Sequence, residues 1–208
     1  RSTANRKAPP ARKPTTAGSQ DGPLPMLSAI SIAGASSDQK LAAIITPAAN
    51  PNIASSTLRS MFLKKNTYLD EEAVKEINAI VVEDISVGGI YRNVNLIIPG
   101  RKHVPPSPEK AYYKMKKYFN DLPYLTYAAA TEKAMYAYAM FMKIHPFVDG
   151  NSRTGKLIMN YVLMKEGFLP IYIPKDRYKE YVHAFELFAS EDQLEPLAKL
   201  AYEFEQTQ

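Results

Sequence analysis

The sequence predicts an all-α bundle carrying one small β element. Apolar residues recur at helical spacing in several segments after about residue 55. Only one short stretch is rich in β-branched and aromatic residues. Glycine and proline pairs punctuate the chain between these patterns, and no internal repeat interrupts them.

The elements follow in order. Residues 1–22 are rich in Pro, Ala, Thr, Lys and Arg with almost no large apolar side chain, and read as a disordered basic tail. Residues 23–54 read as a partly ordered linker or N-terminal extension, broken at Pro47 and Pro51. The regular domain spans 55–208 and opens with a short helix from Ser55 to Lys65. Asp70 is placed to cap the next helix, in which Ala73, Val74, Ile77, Ile80 and Val81 keep helical spacing. Gly88-Gly89 then opens the strand-like part, Ile90–Val94 and Leu96–Ile98, closed by Pro99-Gly100. It is expected to form a hairpin or extended flap. Ser107 or the residue after it caps a helix running from about Glu109 to Asn120, with Tyr112, Met115, Lys116 and Phe119 on one face. Thr131 is expected to cap the buried central helix, marked by Ala134, Tyr138, Phe141 and Ile144. Leu157, Ile158, Tyr161 and Met164 mark a further helix, stopped by Gly167. Ile171–Pro174 is extended, and Arg177–Phe188 and Asp192–Phe204 form the last two helices.

Composition limits the function classes. Cysteine is absent, which excludes a disulfide framework and a cysteine-based zinc site. That is compatible with a reducing compartment and does not decide the location. No apolar run is long enough to span a bilayer, so no membrane role is expected. The net charge of +5 is concentrated in the tail, where Arg1, Arg6, Lys7, Arg12 and Lys13 face Asp21 alone. The remainder is near neutral, so no nucleic-acid partner is expected. The chain begins at Arg1, which reads as a processed or trimmed piece.

One stretch joins complementary chemistries: His145-Pro146-Phe147-Val148-Asp149-Gly150-Asn151-Ser152-Arg153-Thr154-Gly155-Lys156. His145, ending a helix, is suited to take a proton from a hydroxyl near neutral pH. Asp149 could cap a helix or hold Mg²⁺, which favours oxygen ligands and nucleotide phosphates. Gly150, Asn151 and Ser152 at a helix start offer free N–H groups and the positive end of a dipole, an anion site. Arg153 adds a planar cationic fork, and Lys156 a point charge one turn later. Phe147 anchors the turn in the core.

This stretch resembles the signature of the Fic (Fido) family of protein adenylyltransferases, H-x-F-x-D/E-G-N-G-R-x-x-R. The segments His103–Pro108 and Leu163–Pro174 resemble the family's sequence after its flap and after its active-site helix, so the likeness runs from about Ser60 to Phe204. It implies a Fic fold, a helical bundle with a β-hairpin flap. It also implies transfer of AMP from ATP to a Ser, Thr or Tyr hydroxyl of a protein, with Mg²⁺. His145 would be the general base and Asp149 the metal ligand. Gly150, Asn151 and Ser152 would cradle phosphates, with the Asn151 side chain orienting the α-phosphate. Arg153 would hold the β-phosphate, and Tyr181 would line the adenine pocket. The target protein would dock as a strand on the flap, about Val94–Arg101. Family members often dimerise, so the likeness allows a homodimer.

Three departures qualify it. Ser152 stands where the family has its second glycine, at a cost of about 1 kcal/mol if that residue needs a positive φ. Lys156 stands where the family has its second arginine and loses the bidentate fork. The segment Ser60–Thr67, overlapping an inhibitory-helix-like stretch of about 55–66, resembles the motif S/T-x-x-x-E-G/N, but Lys64 stands at the glutamate. In the family that glutamate pairs with the second loop arginine. Lys64 and Lys156 would repel, so neither glutamate autoinhibition nor appreciable reverse de-adenylylation is expected. Two alternatives stay open: phosphotransfer on the same fold, as in its kinase-like branch, and a non-catalytic module that binds a protein strand.

Overall fold

The computed structural model describes residues 69–127, 129–168, 170–171 and 173–206. The expected short helix and Lys64 lie outside them. The described elements are helices α1 (Glu71–Val81), α2 (Pro108–Asp121), α3 (Ala130–Ile144), α4 (Asn151–Lys165), α5 (Tyr178–Glu191) and α6 (Glu195–Gln206), with a single 3-10 turn at Leu122–Tyr124. No described helix is long and apolar enough to cross a membrane.

Local signals set three of the helix ends. The Asp70 carboxylate accepts a hydrogen bond from the Ala73 N–H at 2.8 Å, and Glu71 and Glu72 complement the positive end of α1. Ser107 caps α2 through the Lys110 N–H at 3.5 Å, with Pro108 at the first helical position. Gly167 stops α4, its N–H bonded to the Met164 carbonyl and the Phe168 N–H to the Leu163 carbonyl.

Four expectations are corrected. Thr131 is not a cap: α3 begins one residue earlier, its N-cap Ala129 has no side chain to donate or accept, and Thr131 is buried inside the helix. The buried face of α2 is Ala111, Met115 and Tyr118, continued by Leu122, whereas Tyr112 is 45% exposed. Both faces of α2 carry aromatics, and the choice falls to Tyr118, whose hydroxyl donates to the Ala137 carbonyl of α3 at 3.1 Å. Lys116 leaves that face to pair with Glu71 of α1 at 3.0 Å. Asp192 does not start the last helix. It is the left-handed end of α5 (φ 57°), with its carboxylate 2.7 Å from Lys143 Nζ, and α6 begins at Glu195.

The fourth concerns the hairpin. Among the described residues no strand forms. Ladder hydrogen bonds need a partner strand in register, and the Arg92 N–H instead donates to the Pro146 carbonyl at 2.9 Å. From Asn95 to Ile97 the chain has no regular secondary structure, and the Ile98 carbonyl accepts from the Arg101 N–H at 3.2 Å. Ile97 lies 83% exposed, while Leu96 and Ile98 are partly covered.

Helix α3 is the hub. Ala134, Met135, Ala137, Tyr138, Ala139 and Phe141 are fully or almost fully buried, and α3 packs on α2, α4, α5 and α6. Its closest partner is α4, and Gly155 makes the approach possible. A Cβ there would lie 2.8 Å from the Tyr138 ring, so any side chain would push the helices apart.

Candidate functional site

The site is the turn between α3 and α4. α3 ends at Ile144, and His145 takes a left-handed conformation (φ 52°, ψ 62°) with its N–H on the Phe141 carbonyl at 2.9 Å. Phe147, 1% exposed, plugs into the core against Phe141 and Tyr91, at ring separations of 6.2 and 5.4 Å. The Asn151 carboxamide closes the turn on itself. It accepts from the Phe147 N–H at 3.0 Å and donates to the Phe147 carbonyl at 2.8 Å.

Gly150 precedes α4 at φ 78°, and a Cβ there would lie 2.6 Å from Val82 Cγ1 and 2.8 Å from Asn78 Nδ2. The turn therefore needs glycine for both its angle and its space. No side chain caps α4, so its first N–H groups lack a side-chain acceptor at the positive end of the dipole. Such an end is suited to an anion.

The His145 ring is partly buried, and its Nδ1 is buried without a hydrogen-bond partner among the described residues. Burial pushes its pKa from 6.5 down to about 4. The Met142 backbone opposes the shift, and the positive charge of Arg92, His103 and Arg101 reinforces it. The imidazole is thus neutral at physiological pH and able to accept a proton.

The chain brings His145, Asp149, Gly150, Asn151, Ser152 and Arg153 together, but not all in the expected roles. Ser152 lies exposed in the first turn of α4 with no positive φ, so the anticipated serine strain does not arise. The Asn151 side chain, expected on an α-phosphate, is buried and spent on the Phe147 backbone. Arg153 is turned back: Nη1 donates to the Val81 carbonyl at the end of α1 at 2.7 Å, and Nη2 lies 3.4 Å from Asp149 Oδ2.

Asp149 is about half exposed, and its Oδ1 also accepts from the Gly150 N–H. No cluster of three metal-ligating side chains exists among the described residues. One exposed carboxylate beside an anion site still fits Mg²⁺, which commonly takes one or two carboxylates together with nucleotide phosphates. Lys156 is half-buried with no hydrogen bond or ion pair among the described residues, and burial lowers its pKa. Tyr181 is 1% exposed, a core aromatic in this structure. It stacks 5.8 Å from Tyr138, the ring against which Gly155 packs, and donates its hydroxyl to the Tyr138 hydroxyl at 3.1 Å. The Arg101 guanidinium covers it at 5.2 Å.

Sequence reasoning missed three residues here. Asn78 donates to the Asp149 carbonyl at 3.0 Å and to Thr154 Oγ1 at 3.3 Å, and accepts from the Gly89 N–H at 3.0 Å. A buried polar residue on the apolar stripe of α1 was the available signal. Arg101 lies over Tyr178, Tyr181 and Phe185, with Nη1 buried and unpartnered. Arg92 is 4% exposed and hydrogen-bonded to three carbonyls around the turn. Its signal was a lone cation in a strand-like run.

Comparisons with known proteins fit this geometry. The Fic/DOC family model matches residues 68–163. The protein adenylyltransferase Fic of Drosophila grimshawi is 34% identical over 120 residues, covering 54% of this chain and 23% of that protein. The chain thus spans about a quarter of that relative's length. Among solved structures, Fic-1 from C. elegans superposes with a TM-score of 0.62 at 25% identity, covering 73% of this chain and 46% of that one. BepC from Bartonella tribocorum, solved with bound AMPPNP, has a TM-score of 0.54 at 14% identity, covering 74% and 87%. Signature turn, family match and helical architecture agree, and residues 68–163 of the chain form a Fic/DOC family domain.

Proposed function

We propose that this chain is a protein adenylyltransferase that moves AMP from ATP to a Ser, Thr or Tyr hydroxyl of a target protein, releasing pyrophosphate. The observation that carries the reading is the neutral His145 imidazole on the turn that leads into the uncapped N-terminus of α4. A base beside an anion site is what transfer from a nucleotide to a hydroxyl needs. The names of the Drosophila relatives support the choice of AMP.

In this reading His145 takes the proton from the target hydroxyl. The N–H groups at the start of α4 hold phosphate oxygens. Arg153 swings from the Val81 carbonyl to the β-phosphate, and Lys156 supplies further positive charge. Asn151 serves by holding the turn. Asp149 would hold Mg²⁺, which would supply positive charge to stabilise the phosphates. Tyr181 backs the adenine pocket from the core, with Arg101 lying over its ring. The target segment lies along Val94–Arg101, where exposed Ile97 lies outside any ladder and suits an added strand.

The test uses ATP labelled on the α- or the γ-phosphate, with Mg²⁺ and a lysate. Label from the α position only, lost in His145→Ala, is the expected result. Label from the γ position only means phosphotransfer. No label with either indicates a binding module.

A further inference from the structure

A buried charge is costly unless it is matched, and buried arginines ordinarily meet an acid. Arg92 has no ion pair among the described residues. Its guanidinium is matched by carbonyl oxygens: Nε donates to His145 at 2.8 Å, Nη1 to Val94 at 2.8 Å, and Nη2 to Pro106. Its backbone N–H adds the bond to Pro146. Each of these carbonyls belongs to irregular chain, in the turn after α3, at the start of the flap, or in the run before α2. Apart from the bond of the His145 N–H to the end of α3, no helix or ladder sets their positions. A rigid fork with fixed donor directions sets angle as well as distance. Holding the His145 carbonyl restrains a left-handed residue, and so the direction in which its imidazole leaves the backbone.

We infer that Arg92 is a positioning residue for the transfer proposed above: one guanidinium fixes the backbone of the base and the first carbonyl of the flap, so that His145 and a strand docked on the flap share one register. The inference rests on that reading for the identity of the base. The same cation has an electrostatic role. The charged and titratable groups acting on the His145 ring are Arg92, Arg101 and His103, and all three disfavour its protonation.

The experiment compares Arg92→Lys and Arg92→Gln in the full chain, with folding checked by circular dichroism. Lysine keeps the charge and loses the fork. We expect kcat for α-label transfer to fall about 100-fold, the cost of misplacing a reacting group by an ångström, with KM for ATP within about twofold. The acidic limb of its pH profile should stay in place. Glutamine loses the charge as well, so its acidic limb should move to higher pH. The His145 ring titration, followed by NMR without nucleotide, should move the same way.

An Arg92→Lys enzyme that keeps kcat within about threefold overturns the inference. So does a folded Arg92→Gln protein whose ring titration is unmoved. In the wild type the Arg92 Nε–H should exchange slowly with solvent, and fast exchange overturns the inference even if Arg92→Gln does not fold. If the wild type transfers no label, while the Nε–H is protected and the ring titration shifts in Arg92→Gln, the adenylyl-transfer reading fails. The hold of Arg92 on His145 then stands.

Discussion

Acid should unfold this protein partly through His145. Its ring has a folded pKa of about 4 against an ordinary 6.5, so the unfolded chain takes up a proton first. The contribution is fully present above pH 6.5 and is lost as pH falls through 4. Linkage gives a loss of about 2 kcal/mol by pH 5 and about 3 kcal/mol by pH 4, relative to pH 8. The perturbation that isolates it is His145→Asn, because asparagine tolerates left-handed geometry and does not titrate. Urea unfolding of both proteins from pH 8 to pH 4 would yield two stability curves, and their difference cancels groups common to both. The wild-type curve should drop below the variant's by these amounts. Parallel curves would refute the claim that the ring is held neutral by burial. The kinetic counterpart is a kcat/KM profile whose acidic limb lies near pH 4 and not near 6.5.

Other substitutions test the framework of the turn. Gly150→Ala puts a Cβ 2.6 Å from Val82 Cγ1 in a left-handed residue. It should cost about 3 kcal/mol or more by urea unfolding, from strain and overpacking together. Asn78→Ala removes three hydrogen bonds, which tie α1 to the turn at Asp149, to α4 at Thr154 and to the Gly89 N–H. It should cost about 2–3 kcal/mol and slow α-label transfer, because buried partners are left unpaired. Asp149→Asn keeps the bond to the Gly150 N–H and weakens only an exposed ion pair, so stability should change by less than about 0.5 kcal/mol. Its transfer rate should collapse at low Mg²⁺, and unchanged turnover there would remove Asp149 from the metal role.

What could be read from the sequence was local. Asp70, Ser107 and Gly167 each act within a few residues, and each sets a helix end as expected. The turn itself was legible because its residues are adjacent in the chain. What failed depends on distant partners. The run Ile90–Ile98 has strand composition, but Arg92 takes its backbone to Pro146 and not to a ladder. Arg153 looks free in sequence, and its carbonyl partner is on α1. Tyr181 could be pocket or core by residue type, and only packing on Tyr138 decides how deep it lies. Asn78 stood out on the apolar stripe, but its partners were invisible because helical spacing identifies the inward face without saying what a polar group there will meet.

The Arg153–Val81 bond has a cost for the ligand. An anion that recruits this guanidinium competes with the end of α1, whose last carbonyls attract a cation. An interaction of that kind is worth about 0.3–2 kcal/mol, a loss of roughly twofold to thirtyfold in nucleotide affinity relative to an unattached arginine. Reciprocity then requires that nucleotide loosen the last turn of α1 by the same energy. Amide exchange around Val81 and Val82 would accordingly report whether the site is empty or filled.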